Sequence, residues 1–262
     1  MTDSPNKGLF TWHELLTKDT EAAKAFYGAV VGWGTQAFPD PAMAYTLWTN
    51  ANGPVGGLMS LEAAQQPEGH AHWMGTISVA DIDATFARAG ELGATVHAPV
   101  HEIPNVGRFA VLADPTGAAF CVMQPSDPGA PLDPRELGRF SWNELWTSDP
   151  EAAWAFYSGL FGWVETGTME MGPGVTYRMF GRTGEASMGG IAQKAPQAPA
   201  SAWLFYATVE NADEAGERAK GLGAQIFMGP MDVPGGGRIV GGMDPQGAGF
   251  AIYSQTSADA SA

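Results

Sequence analysis

"GLFTWHELLTKDTEAAKAFYGAVVGW" occupies residues 8–33, and "GRFSWNELWTSDPEAAWAFYSGLFGW" occupies residues 138–163. The two segments agree at 15 of 26 positions, at an offset of 130 residues. That is far above chance and signals an internal repeat. The same offset pairs Asp83 with Asp213, "LGA" at 92–94 with "LGA" at 222–224, and Pro104 with Pro234. It also pairs Gly107-Arg108 with Gly237-Arg238, Asp114-Pro115 with Asp244-Pro245, and Phe120 with Phe250. The chain is therefore read as a duplicated domain. Copy one is expected over 1–125, a Pro-rich linker over 126–137, copy two over 138–255, and a disordered tail over 256–262.

Each copy carries a local rhythm. "LFTWHELLT" alternates as a strand does, Asp19 fits an N-cap, and Ala22, Ala23, Phe26, Tyr27 and Val30 share one helical face. Gly32-Trp33 stops that helix, and short strands follow in "AMAYTLWT" and "GPVGGLMS". "WMGTISV", a helix capped by Asp81 and stopped at Gly93, and three further strands complete the copy, with a "DPTG" turn before the last. Copy two repeats the order. The pattern predicts an α+β fold, βαβββ twice per copy, with curved mixed sheets around a cleft.

Composition narrows the partners. Net charge is −15, from 13 basic and 28 acidic residues, which argues against nucleic acid or an anionic membrane surface. The same charge would attract a cationic ligand. One cysteine, Cys121, permits no intrachain disulfide, and the polar start "MTDSPNKG" lacks the features of a secretion signal. A cytoplasmic protein, monomer or homodimer, is expected.

The fourfold βαβββ order, the "FYxxxxGW" after the first helix of each copy, and the "DPxG" before each copy's last strand resemble the vicinal oxygen chelate superfamily. That superfamily includes glyoxalase I, extradiol dioxygenases and the bleomycin- and fosfomycin-resistance proteins. The tandem "FxWxELxTxDxxxAxxFY" is most similar to two-domain actinobacterial glyoxalase-like or hydroxylase proteins. The resemblance implies a ligand cleft in each curved sheet. In metal-dependent members, His or Glu ligands sit on the first strand of each module and near the end of its last strand. Here those positions fall on Trp12 and Trp142, Met74 and Leu204, Cys121 and Ala251, and near Gly57–Met59 and Met188–Ile191. An indole cannot ligate a metal. No metal and no cofactor are therefore expected, although His13 or Glu14 with His72 could improvise a site in copy one.

What both copies keep is a carboxylate. On an alternating strand Trp12 shares a face with Glu14, and Trp142 with Glu144. Glu14 and Glu144 are the catalytic candidates, because a carboxyl in a partly dry cleft has a raised pKa and can move a proton. They could equally accept from a ligand hydroxyl, pair with Arg108 or Arg238, or make a structural bond to a backbone N–H or a Tyr. Trp12, Trp142, Tyr45, Trp48, Trp73, Tyr177 and Trp203 are candidates to line the cleft, and Arg108 and Arg238 to hold an anionic group.

Three readings stay open. The first is a binding protein with metal-free clefts for an apolar, aromatic or cationic small molecule, with metal-independent acid/base catalysis as an added capacity. The second is a metal-independent hydroxylase- or lyase-like enzyme of secondary metabolism. The third is a metal-dependent glyoxalase or dioxygenase, against which the empty ligand positions speak.

Overall fold

The computed structural model describes residues 4–40, 43–172 and 174–255. The expectation of disorder over 256–262 lies outside them. Copy one contains β1 (Phe10–Thr17), α1 (Thr20–Val30), β2 (Gly34–Ala37), β3 (Tyr45–Asn50) and β4 (Gly53–Ser60). It continues with β5 (His72–Ser78), α2 (Ile82–Glu91), β6 (Thr95–Ile103), β7 (Gly107–Ala113) and β8 (Ala119–Pro125). Copy two contains β9 (Phe140–Thr147), α3 (Pro150–Phe161), β10 (Val164–Glu170), β11 (Thr176–Gly181) and β12 (Ser187–Gln193). Its second half is β13 (Ala202–Thr208), α4 (Ala212–Gly221), β14 (Gln225–Asp232), β15 (Arg238–Met243) and β16 (Gly249–Ser254).

Each copy builds one mixed eight-stranded sheet. The orders are β2-β3-β4-β1-β5-β8-β7-β6 and β10-β11-β12-β9-β13-β16-β15-β14. The helical crossover between β5 and β8 brings them together in parallel, as β13 is with β16, while hairpins supply the antiparallel neighbours. Asp19, Asp81, Asp149 and Asn211 cap the four helices, each side chain accepting a backbone N–H of the first turn. No helix among the described residues is long and apolar enough to cross a membrane.

The sequence left open whether modules combine within or between copies. The described residues divide into two compact units, one drawn from 4–11, 74–132 and 143–203, the other from 12–73, 133–142 and 204–255. Each unit thus joins one module of each copy. In the second, α1 packs on α4, and Arg218 of α4 donates to the Ala29 carbonyl at the end of α1. A cation there satisfies a terminal carbonyl and complements the helix dipole. Gln246 clasps the start of the same helix, accepting from Asp19 N–H and donating to Asp19 C=O. In the first unit α2 packs on α3.

Candidate functional site

The helix-facing side of each first module is an aromatic core. Tyr27 of α1 lies against Trp33, Trp48 and Trp73, with ring centroids 5.2–5.8 Å apart. Trp73 Nε1 donates to Tyr27 Oη, which donates in turn to the buried Asp244. Tyr157 of α3 accepts from Trp203 Nε1 in the same way and lies beside Asp114, whose Oδ2 is buried without a hydrogen-bond partner among the described residues. Burial and the neighbouring carboxylate push both phenols well above the usual tyrosine range. Trp48, Trp73 and Trp203, proposed from sequence as cleft residues, are thus placed in this packing, with Trp48 fully buried.

Alternation along β3 turns Tyr45 to the face opposite Trp48. On that face Trp12 Nε1 donates to Tyr45 Oη at 2.9 Å, and Tyr45 is hydrogen-bonded to Glu14. Trp12 and Glu14 are both half-buried. Burial raises the Glu14 pKa above its ordinary range, and the Tyr45 bond offsets part of that rise. Of the partners the sequence allowed for Glu14, the structure supplies the tyrosine.

The counterpart in copy two keeps the bond and changes the company. Tyr177 Oη donates to Glu144 Oε1 at 2.9 Å, and Trp146 Nε1 donates to Glu144 Oε2 at 2.7 Å. Trp146 stands two residues beyond Glu144 on the same strand face, where copy one has Leu16. Trp142 is half-buried on β9.

Two glycines make room for these tyrosines. Gly57 is the parallel-strand partner of Glu14, and Gly190 that of Glu144. A Cβ on Gly57 would fall 1.8 Å from Tyr45 Oη, and one on Gly190 would fall 2.1 Å from Tyr177 Cζ. A bare backbone beside the carboxylate is what lets the phenol lie across the strand and reach it. Sequence reasoning missed Gly57, Gly190 and Trp146 as site residues. Trp146 was visible in the alternation, but the glycines needed the strand register.

The two arginines lie elsewhere. Arg108 grips Asp83 of α2 through both terminal nitrogens at 2.7 and 2.8 Å, and holds that carboxyl below its usual range. Arg238 binds Asp213 of α4 and Asp232 of β14, and these carboxylates raise its pKa. In both copies, then, the repeated Arg ties a strand to the helix of its own module.

His13, buried, stacks on Phe140 with centroids 4.0 Å apart, and Asn143 at the equivalent position donates to the Met188 carbonyl. His72 bonds the His70 carbonyl. Among the described residues no group of three or more His, Cys, Asp or Glu is placed to hold a metal ion. The donor set around Glu14, an indole and a phenol, does not fit the divalent ion of the metal-dependent relatives.

Comparison with known proteins agrees with this architecture. Residues 13–123 match the model of the glyoxalase-like domain, and residues 139–252 match that of the glyoxalase/bleomycin resistance protein/dioxygenase superfamily. CFP32 of Mycobacterium tuberculosis (strain CDC 1551 / Oshkosh), whose name describes a glyoxylase, is 33% identical over 249 residues, 94% of each chain. The anthracycline biosynthesis protein DauV of Streptomyces sp. (strain C5) is 28% identical over 272 residues, covering 94% of this chain and 92% of that one. Among solved structures, homoprotocatechuate 2,3-dioxygenase from Arthrobacter globiformis superposes with a TM-score of 0.69 at 16% identity, over 96% of this chain and 81% of that one. The Mn(II)-bound glyoxalase from Novosphingobium aromaticivorans gives 0.66 at 19%, over 93% and 81%. At such identities the structural matches establish the fold alone. With two glyoxalase-like domains in tandem and a full-length relative at 33% identity, the chain belongs to the glyoxalase/bleomycin resistance protein/dioxygenase superfamily.

Proposed function

We propose that the chain binds a flat aromatic small molecule bearing a hydroxyl or cationic group, in a cleft that uses no metal. The observation that carries this reading is the Trp12–Tyr45–Glu14 set: an indole, a phenol and a carboxylate hydrogen-bonded on one sheet face, with Trp12 and Glu14 only half-buried. Aromatic rings offer stacking area to a flat ligand, and a partly desolvated carboxylate selects a ligand that brings a donor. The net charge of −15 favours approach of a cationic group. The relative named for anthracycline biosynthesis supports an aromatic ligand.

A second reading, a metal-independent enzyme, rests on the raised pKa of Glu14. A carboxyl that holds its proton closer to neutrality can take one from a ligand hydroxyl or acidic C–H and return it. Tyr45, which receives the Trp12 N–H, keeps the carboxyl in one orientation for that transfer.

The test is a titration of the purified chain with the hydroxyanthraquinone alizarin, followed by tryptophan fluorescence, beside elemental analysis after incubation with Ni, Zn, Mn and Fe. Saturable binding that Trp12→Ala abolishes, in protein free of stoichiometric metal, supports the reading. Absence of saturable binding overturns it, as does one tightly held metal ion per copy. Product formation that Glu14→Gln abolishes would favour the enzyme.

A further inference from the structure

The two copies present the same carboxylate in different states of engagement. In copy two both oxygens of Glu144 are occupied from within the protein, Oε1 by the Tyr177 hydroxyl and Oε2 by the Trp146 indole. Glu144 is also buried, at 6% exposure. In copy one Tyr45 is the single side chain among the described residues that hydrogen-bonds Glu14, and Glu14 keeps partial exposure. The residue that makes the difference is two positions further along the strand: Trp146 in copy two, Leu16 in copy one. Leu16 is buried and carries no donor. The glycine beneath each tyrosine is common to both arrangements.

We propose that the Glu14 site is the one that takes a hydrogen-bond donor from a ligand, and that Trp146 closes the Glu144 site against one by serving as a built-in substitute for it. The indole N–H of Trp146 occupies the oxygen that a ligand hydroxyl or ammonium would need. A ligand at Glu144 must break that bond and leave an indole N–H to be satisfied elsewhere, a cost absent at Glu14. The chain then binds one donor-bearing ligand, at copy one, while copy two keeps its carboxylate for holding Tyr177. Leu16 and Trp146 are the specificity-determining positions. This inference rests on the aromatic-ligand reading for the identity of the ligand, but the difference between the carboxylates does not.

The experiment has two arms. In the first, which needs no ligand, the intact chain is treated with a water-soluble carbodiimide and glycinamide, and modified carboxyls are mapped by mass spectrometry. Glu14 is expected to be modified several-fold faster than Glu144. Trp146→Leu should bring Glu144 up toward the rate of Glu14, Trp146→Phe should do the same while keeping a ring in place, and Leu16→Trp should slow Glu14. Equal rates in the unaltered chain overturn the proposal, as does continued protection of Glu144 in both Trp146 variants when their circular dichroism is unchanged. In the second arm alizarin is titrated into the same proteins. One molecule per chain, lost in Glu14→Gln and retained in Glu144→Gln, is the expected result, with two per chain in Trp146→Leu. Two per chain in the unaltered protein overturns the proposal. If alizarin binds none of the proteins while the labelling contrast holds, the aromatic-ligand reading fails and the inequality of the two carboxylates stands.

Discussion

Tyr27 Oη donates to Asp244 Oδ2 at 3.0 Å, joining the first helix of copy one to the last turn of copy two across 217 positions of sequence. The tyrosine comes from the repeated "FY" and the aspartate from the repeated "DPxG", so two motifs read as separate punctuation are partners. Asp244 Oδ1 meanwhile accepts the backbone N–H groups of Gln246 and Ala248, which fixes the turn. Tyr27→Phe leaves a buried carboxylate oxygen without its donor and should cost about 1–3 kcal/mol. Urea unfolding of the variant measures this, and a change within experimental error would show that the bond contributes nothing net.

A reciprocal pair of indoles adds to the exchange between copies. Trp33 Nε1 donates to the Gly138 carbonyl at 2.7 Å, and Trp163 Nε1 donates to the Gly8 carbonyl at 2.8 Å. Each glycine has positive φ and turns its carbonyl to an indole that ends the first helix of the other copy. Trp33→Phe keeps most of the ring packing and removes the donor, so it should cost about 1 kcal/mol for the bond plus a smaller packing loss. Chemical denaturation of Trp33→Phe and Trp163→Phe should give similar losses. A loss in one and none in the other would break the equivalence of the two hooks.

Gly57 offers a cleaner test of the candidate site. Its missing Cβ is the space in which Tyr45 lies, so Gly57→Ala must displace the phenol and break its bond to Glu14. Overpacking of this kind costs about 1–3 kcal/mol. In a Tyr45→Ala background the three atoms nearest the added Cβ are gone, and the cost should fall sharply. A double-mutant cycle read by urea unfolding gives the coupling. Additive effects would mean that Gly57 is required for some reason other than the tyrosine.

Much of this arrangement could be read from the chain itself. The duplication, the βαβββ order and the caps at Asp19 and Asp81 follow from repeats, periodicity and short-range chemistry, and the strand face shared by Trp12 and Glu14 follows from alternation. Strand register could not be read, because it depends on backbone partners far apart in sequence. The roles of Gly57 and Gly190 were hidden for that reason. The separation of Tyr45 from Trp48, three positions apart on β3 and on opposite faces of the sheet, follows by contrast from alternation alone. Arg108 and Arg238 looked like anion holders because nothing local placed Asp83 and Asp213 beside them. The module exchange between copies rests on contacts such as Tyr27–Asp244, to which a constant offset within the sequence is blind.

The raised pKa of Glu14 gives a pH dependence of definite sign. Burial lifts its carboxyl above the ordinary glutamate value of 4.5, against the partial opposition of the Tyr45 bond. The folded chain therefore holds this proton more tightly than the unfolded chain. Below pH 4.5 both states are protonated and the favourable contribution is fully present. As pH rises from there through the folded pKa, the unfolded state has released the proton first, and stability falls. Above the folded pKa both states are ionised and the loss is complete. Glu14→Gln carries no titrating group, so the stability difference, unaltered chain minus variant, should decline across this window. Taking the difference cancels the titration of the other carboxyls. Urea unfolding at a series of pH values between 4 and about 8 follows it. A level difference would mean that folding leaves the Glu14 pKa unshifted, and one that grows with pH would mean that Glu14 is stabilised as the anion; either outcome removes the basis for holding a proton for transfer.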